Sequence, residues 1–346
     1  MNKYNLSFMV SILLLTIANV QAGNPDRQGE AGAYELLINP WAKGAGMNSL
    51  NGSYAVGVEA MAVNIAGLSR ASKTEVVLGH TRWLVPSGVS MNALGIAKHV
   101  GKNGTLGIAL MAVKFGDIKV TTTEAPEGTG ATYSPNYFNI GLGYSHRFGK
   151  KVSVGFLVRG VSESIQSLSA FGVAFDAGVQ YVGGTKDNFK LGISLRNIGG
   201  PMEFTGQGLS TQLASSSGSQ LTYNVRLTKF ELPSLLHMGV SYDFEVGDDL
   251  SLTPVVNFTS NSFGRDEIGA GLELKITKAF GLRASYKYDI GKSTTVGKSA
   301  YTGLGLGASV NIPLDKKGNT MLGLDYAYRT TKPFEGTHNV GLSLLF

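Results

Sequence analysis

Residues 137–159 read YFNIGLGYSHRFGKKVSVGFLVR, and this stretch decides the fold class. In its first half, Phe138, Ile140 and Leu142 alternate with small or polar residues, so that an extended strand has one apolar face and one polar face. A polar Gly-Lys-Lys turn follows at 149–151, and the alternation then resumes. The stretch therefore predicts an antiparallel β-hairpin.

The same two-residue period recurs through the chain from residue 74 to residue 346. It is clearest in residues 189–196, 282–289 and 322–329. Counting strands of this kind gives about 14, separated by short turns in some places and by long loops in others. The sequence therefore predicts an all-β fold.

Alternation alone also fits a soluble sandwich, in which each strand has one face in the core. Two features favour a transmembrane antiparallel barrel instead. Charged residues repeatedly lie opposite the apolar face, as a polar lumen requires, and Tyr or Phe often ends the apolar face, as in the aromatic girdles at a membrane interface. We interpret residues 74–346 as a transmembrane β-barrel.

The N-terminus predicts export. Lys3 precedes an apolar run at 8–20 that is too short to span a bilayer, and Val20-Gln21-Ala22 places small residues where signal peptidase requires them. The remaining chain has no apolar run of about 18 residues, so it predicts no transmembrane helix. We interpret residues 1–22 as a signal peptide, and an exported barrel is expected in the outer membrane of a Gram-negative bacterium, in contact with its lipid.

Residues 23–73 differ from the rest of the chain. They contain small residues, Pro40 and short helix-compatible pieces, with no sustained two-residue period. They are too apolar for a solvated tail, so we predict that they form a hatch packed in the barrel lumen. The alternative is a soluble periplasmic extension.

The N-terminal segment resembles the PorV/PorQ family of outer-membrane barrels, which accompany type IX secretion in Bacteroidota and are themselves similar to FadL-type transporters of hydrophobic compounds. The resemblance lies in four blocks, at residues 35–38, 44–47, 57–60 and 64–68. It implies a FadL-like barrel with an N-terminal hatch segment in the lumen.

Within the last block, Asn64, Gly67 and Leu68 are the candidate hatch motif. The chain has Ile65 where relatives commonly have Pro, which restores a backbone N–H and frees φ at that position.

The chain ends on Phe346, which follows alternating apolar residues. The last strand of a barrel must pair with the first to close the sheet, so it has no free tail. A terminal aromatic residue after such a strand also resembles the C-terminal signal of outer-membrane barrels. We therefore predict that Phe346 is an assembly signal recognised by the barrel assembly machinery.

One stretch, LGIALMAVKFG at 106–116, is apolar on both faces. If the face that begins with Leu106 contacts lipid, then Met111, Val113 and Phe115 form an apolar patch on the lumen side. Two interpretations of this patch stay open. It packs against the hatch, or it forms a pocket for a hydrophobic ligand or for the terminal segment of a partner.

No pattern in the sequence predicts an enzyme. The five His residues stand far apart, there is no Cys, and neither a metal-ligand spacing nor a nucleophile elbow is present, so we expect no catalytic, metal or cofactor site. The net charge of +6 is spread along the chain, and we expect no nucleic-acid binding.

Two functions remain. The resemblance implies an accessory component of type IX protein secretion that engages the translocon or cargo through its rim and its long polar loops at 121–136 and 198–220. The alternative is a FadL-like transporter, in which a hydrophobic ligand enters a lumenal pocket and leaves through the wall. An apolar cavity in the lumen would favour the transporter.

Overall fold

The described residues form a barrel of fourteen long strands. The computed structural model describes residues 24–71, 74–215, 219–247, 249–277, 279–291, 299–315 and 320–346. The barrel strands, numbered in chain order, are β1 Glu75–Arg82, β2 Ser90–Val100, β3 Gly104–Lys114, β4 Asn136–Phe148, β5 Val152–Ile165, β6 Leu168–Gly183, β7 Phe189–Gly199, β8 Leu235–Tyr242, β9 Leu250–Asn261, β10 Glu267–Ile276, β11 Phe280–Asp289, β12 Tyr301–Pro313, β13 Met321–Thr331 and β14 Thr337–Leu345.

Each strand pairs antiparallel with its neighbours in sequence, and β1 pairs with β14 to close the sheet. At the seam, Glu75 lies opposite Leu345 and Arg82 lies opposite His338. The ladder extends one pair further, since the backbones of Thr74 and Phe346 exchange two hydrogen bonds of 3.0 Å. The predicted antiparallel barrel is confirmed, and the role of Phe346 as an assembly signal stays a prediction.

The outer face of the barrel is apolar and exposed, and the inner face is buried. Leu142 is 55% exposed on β4, whereas Ser145, on the opposite face, is fully buried. The same alternation runs through β5 and β6. A closed barrel with an exposed apolar exterior is a membrane protein, because it satisfies every backbone hydrogen bond within the hydrocarbon layer. The predicted location in the outer membrane is confirmed.

Among the described residues, no helix has the length and apolar character needed to cross a membrane.

The two ends of the barrel differ in their connections. One end has tight turns such as 101–103 and 149–151, while the other, which we call the long-loop end, carries 115–135 and 200–234. In transmembrane barrels of this kind the longer loops face the exterior. The long-loop end is therefore assigned to the cell exterior.

The second long loop differs from the sequence prediction, which ended it at residue 220. Residues 220–227 alternate like a barrel strand, yet Gln220–Asn224 pairs with Ser210–Ala214 in an exposed hairpin outside the wall. Alternation indicates an extended chain, but it does not specify the partner strand.

Residues 24–71 lie inside the barrel and form the hatch. They contain one short α-helix, α1, and several short 3-10 helices. In order these are Pro25–Arg27, Tyr34–Leu37, α1 Ala42–Gly46, Leu50–Ser53, Gly57–Ala62 and Ile65–Arg70. The predicted N-terminal segment in the lumen is confirmed. The signal peptide at 1–22 lies outside the described residues, and the division of the chain after residues 22 and 73 stays a prediction.

The hatch contacts the backbone of the wall directly because lumen-facing glycines leave room for it. A Cβ at Gly95 would lie 2.2 Å from a Val58 methyl carbon, and a Cβ at Gly178 would lie 2.1 Å from the Asn64 side-chain oxygen. We call these residues the glycine belt. Its members, at each of which a Cβ would come within 3.0 Å of a hatch atom, are Gly79, Gly95, Gly107, Gly143, Gly155, Gly178, Gly192, Gly269, Gly271 and Gly305.

Replacing a belt glycine by alanine is expected to destabilise the hatch, and Gly155→Ala is the sharpest case. The new Cβ would lie 2.7 Å from the carbonyl carbon of Ile65, which is backbone and cannot rotate away. We expect a loss of about 1–3 kcal/mol in the free energy of unfolding, measured by urea titration in detergent micelles.

The matched control is Gly160→Ala on the lipid face of the same strand. There the nearest atom, a side-chain carbon of Ile140, is 3.5 Å away, and the change should stay within about 0.5 kcal/mol. Equal losses for the two variants would contradict the contact.

Candidate functional site

An apolar space next to the hatch lies beneath the loops at the long-loop end, and we call it the outer cavity. Its volume is about 420 Å³, within the range of roughly 300–1,000 Å³ typical of small-molecule sites. Its side chains come from hatch residues 31–38, from strands β2 to β5 and from the loop 200–234. The apolar lining includes Ile38, Trp83, Met91, Val113, Phe115, Tyr137, Phe204 and Phe230.

The apolar patch predicted from the sequence lies at this cavity. Val113 and Phe115 line it, and Met111 is buried in the same cluster, one lumen-facing position deeper on β3. Leu106 and Ile108 are exposed on the outer face, because β3 pairs regularly along its length and its faces therefore alternate without interruption. The part these residues play in binding stays a proposal.

The roof of the outer cavity is tied to the hatch. Gly32 donates a backbone hydrogen bond of 2.9 Å to Glu231, and Glu231 donates one of 3.0 Å to Glu30. Within the loop, Met202 and Phe230 exchange two backbone hydrogen bonds. The base of the loop 200–234 is therefore part of the cavity wall, and its exposed hairpin extends beyond it.

Two carboxyl groups, those of Glu35 and Glu163, face this otherwise apolar space. Their side chains are only 6% and 4% exposed. Within the described residues, neither carboxyl oxygen of Glu35 has a hydrogen-bond partner in another residue, and Oε1 of Glu163 has none. Burial, and next the charge of Glu163, raise the pKa of Glu35 to about 8. Glu35 therefore carries a proton at neutral pH.

Below the outer cavity, hatch side chains pack against the wall, and a further cavity of about 490 Å³ lies at the short-turn end near Tyr54 and Arg147. A void of only about 30 Å³ lies between the hatch and β3 to β5, where Trp41 and Met61 approach Leu157. The candidate hatch motif lies further toward the short-turn end. The side-chain amide of Asn64 donates hydrogen bonds to the carbonyls of Val179 and Ile193, at 3.1 and 3.4 Å, and so attaches the hatch to β6 and β7.

The other two residues of the motif fit the hatch closely. A Cβ at Gly67 would lie 2.0 Å from the carbonyl oxygen of Ala55, so this position accepts only glycine. Leu68 is fully buried in the main core cluster. Ile65, which replaces the usual Pro, packs its side chain against Gly143 of β4. The structure thus gives all three motif residues a structural environment, while their function stays a proposal.

A buried charge network pins the middle of the hatch to the wall. Nζ of Lys43 lies 3.5 Å from a carboxyl oxygen of Asp325 on β13 and 3.8 Å from one of Glu59. Burial acts to lower the pKa of Lys43, but the carboxylates of Glu59 and Asp325 outweigh it, and the net effect raises that pKa. Lys43 therefore stays charged, and its partners are not free to bind a ligand.

A second cavity, of about 390 Å³, lies between β11 and β12 at the long-loop end. In the described part of these strands, pairing ends where Tyr286 faces Leu304, although β11 continues to Asp289. The lining therefore includes Tyr286 and Tyr288 from the lipid face as well as Lys287 from the lumen face. Residues from both faces of the wall thus line this cavity.

Sequence reasoning found the apolar patch but missed the acidic pair. In the sequence, Glu35 was noted only as the first residue of the block 35–38 that resembles a known family. Glu163 occupies a lumen-facing position, where charged residues are common in a barrel. The sequence signal that could have identified Glu35 was a carboxyl group in the hatch, a segment otherwise too apolar to be a solvated tail. Elsewhere in the described ranges, no three side chains of His, Asp or Glu are grouped closely enough to hold a metal ion.

Comparison with solved structures places the fold. The chain superimposes on the P. putida toluene transporter TodX with a TM-score of 0.59 and 15% identity, covering 90% of this chain and 99% of that one. The Ralstonia pickettii toluene transporter TbuX superimposes with a TM-score of 0.56 and 14% identity, covering 89% of this chain and 97% of that one. A Pseudomonas aeruginosa FadL homologue superimposes with a TM-score of 0.53 and 12% identity, covering 89% of this chain and 97% of that one.

No family model matches the chain, and no curated protein matches it either. The FadL-like barrel implied by the sequence resemblance is confirmed at the level of the fold. The assignment to the PorV/PorQ family and to type IX secretion has no support in these comparisons.

Removing the Glu35 carboxyl should change how stability depends on pH. The folded-state pKa of about 8 lies above the ordinary value of 4.5, so in this window the folded chain keeps a proton that the unfolded chain releases. Stability therefore falls as the pH rises from about 4.5 to about 8. We expect Glu35→Gln to reduce this fall, measured as the urea midpoint in detergent micelles.

Glu124→Gln, in an exposed loop, is the matched control and should keep the wild-type profile. A Glu35→Gln protein whose midpoint varies with pH as steeply as that of the wild type would refute the assignment.

Proposed function

We propose that this protein transports hydrophobic small molecules across the outer membrane. The observation that carries the proposal is the outer cavity, an apolar space lined by aromatic and aliphatic side chains at the exterior end of the barrel. Solved barrels of the same fold are named as toluene transporters, which supports the same substrate class. Apolar lining with a few convergent polar groups is the usual composition of a small-molecule site.

The hatch favours a lateral route over an axial one. Among the described residues, its contacts with the glycine belt fill the middle of the lumen, whereas the second cavity is lined by Tyr286 and Tyr288 from the lipid face of β11. The two cavities share Tyr34, Ile38 and Trp83 in their linings, so these side chains form the partition between them. We propose that a solute enters the outer cavity, passes this partition and leaves through the wall.

An accessory role in type IX secretion is the function that the sequence resemblance implies, with the translocon or cargo as partner. It requires the long loops to be docking elements. The base of 200–234 instead contributes Phe204 and Phe230 to the outer cavity, which supports the transporter. The exposed hairpin is the part of this loop that a docking role would use.

The test is uptake of an alkylbenzene into proteoliposomes that contain the purified chain. Phe115→Asp places a charge in the outer cavity and is expected to lower the uptake rate at least tenfold, because an unpaired buried carboxylate opposes an apolar solute. Lys114→Asp, one residue earlier and exposed on the outer face, is the matched control and should retain the wild-type rate.

The same assay separates the two functions. A chain whose exposed hairpin 210–224 is shortened to a Gly-Asn turn should keep full uptake, since the cavity lining is retained. Wild-type protein that shows no uptake above empty liposomes would refute the transporter. If hairpin trimming also abolished protein secretion in cells, the accessory role would replace it.

A further inference from the structure

The outer cavity contains an acidic pair that its apolar lining does not explain. A buried carboxyl group without a hydrogen-bond partner destabilises the folded protein, because it has lost its hydrogen bonds to water and gained none. Glu35 and Glu163 carry such oxygens side by side with Phe115 and Tyr137. Neither residue is needed to fill the space, since an apolar side chain of similar size would do so more favourably. A ligand group that satisfies these oxygens accounts for them.

The hydrogen-bonding capacity of the pair can be counted. The backbone N–H of Ala33 donates to Glu163, which leaves Oε1 of that residue free to accept. The Glu35 carboxyl, with its pKa raised to about 8, holds a proton and can both donate and accept. The cavity wall therefore carries one hydrogen-bond acceptor, Oε1 of Glu163, and one group that both donates and accepts, the Glu35 carboxyl.

The charges around the pair do not cancel it. Arg159, one of the nearby cations, is 2.9 Å from Asp176 and is engaged there. Arg196 lies beside the same carboxylate, at 4.0 Å, and donates to the carbonyl oxygen of Leu36. Neither guanidinium lines the outer cavity, so an anion there meets Glu163 with no cation among the described lining residues.

Resting on the transport function proposed above, we propose that the outer cavity selects apolar molecules that carry one hydroxyl group, an alcohol or a phenol, through Glu35 and Glu163. A hydroxyl donates to Oε1 of Glu163 and accepts from the Glu35 carboxyl, so it satisfies both groups at once. A bare hydrocarbon leaves both unsatisfied, and a carboxylate meets a negative wall. A protonated amine donates but cannot accept from Glu35.

The experiment compares four probes with the same body: 4-hexylphenol, hexylbenzene, 4-hexylbenzoate and 4-hexylbenzylamine. Binding to the full chain in detergent micelles is measured by calorimetry, with fluorescence of Trp83 at the cavity wall as a second signal. We expect 4-hexylphenol to bind about tenfold more tightly than hexylbenzene, since a hydrogen bond to a charged group contributes at least about 1.4 kcal/mol. The benzoate should bind most weakly.

The variants Glu35→Met and Glu163→Met should abolish the preference for the phenol, measured in each variant as the ratio of the dissociation constants for hexylbenzene and 4-hexylphenol. Glu35→Gln and Glu163→Gln, which keep the shape and an acceptor, should reduce the preference by a smaller factor. Glu163→Gln, which also removes the negative charge, should admit the benzoate. Glu124→Gln is the control outside the cavity. Each variant is first checked for the heat-modifiable, folded barrel. If a Met variant does not fold, the variants Glu35→Gln and Glu163→Gln are used for the test instead.

The outcomes are distinguishable. Equal affinities for phenol and hexylbenzene, or a preference that survives the Met substitutions, would overturn the hydroxyl assignment and leave transport of hydrophobic molecules intact. Tighter binding of the amine or of the benzoate than of the phenol would also overturn it. Failure of the wild-type chain to bind or transport hexylbenzene at all would refute the transport function itself.

Discussion

The close contact between the hatch and the glycine-lined wall is the constraint on which the rest of this structure depends. A fourteen-stranded barrel encloses more space than its own lumen side chains fill, so an inner segment must occupy it or leave a channel. The missing Cβ atoms let hatch residues such as Val58 and Ile65 touch wall backbone. Because this contact closes the middle of the lumen, the open spaces lie at the long-loop end, between β11 and β12, and at the short-turn end.

Two groups of buried acidic side chains in the lumen differ in their partners. Lys43 sits between the carboxylates of Glu59 and Asp325, and such a group holds two elements together at little net gain or loss. The oxygens of Glu35 and Glu163 have no comparable partners among the described residues. Charges that are satisfied by the protein serve its architecture, whereas two acidic groups left unsatisfied in the lining of one cavity are candidates for binding a ligand.

The sequence predicted the wall far better than the contents of the lumen, and the reason is physical. A strand that contacts lipid on one face and the lumen on the other must alternate, as residues 137–159 do, so its two faces can be assigned from the sequence alone. The hatch has no such period, because each of its residues contacts a different part of the wall. The alternation at 220–227 was misleading for the converse reason, since an exposed hairpin also alternates without belonging to the barrel.

The acidic pair could not be predicted, because its members are far apart in sequence and come from different elements. Glu35 belongs to the hatch and Glu163 to β5, and only the path of the hatch through the lumen brings them to one cavity. The chain shares its fold, over 89–90% of its length, with solved barrels at 15% identity or less. Hatch residues 31–38 and the loop 200–234 contribute side chains to the outer cavity. The alternating pattern that the wall requires does not restrict the sequences of these two segments. One barrel architecture can therefore serve ligands of different polarity, since the selecting groups are attached to elements that vary independently of the fold.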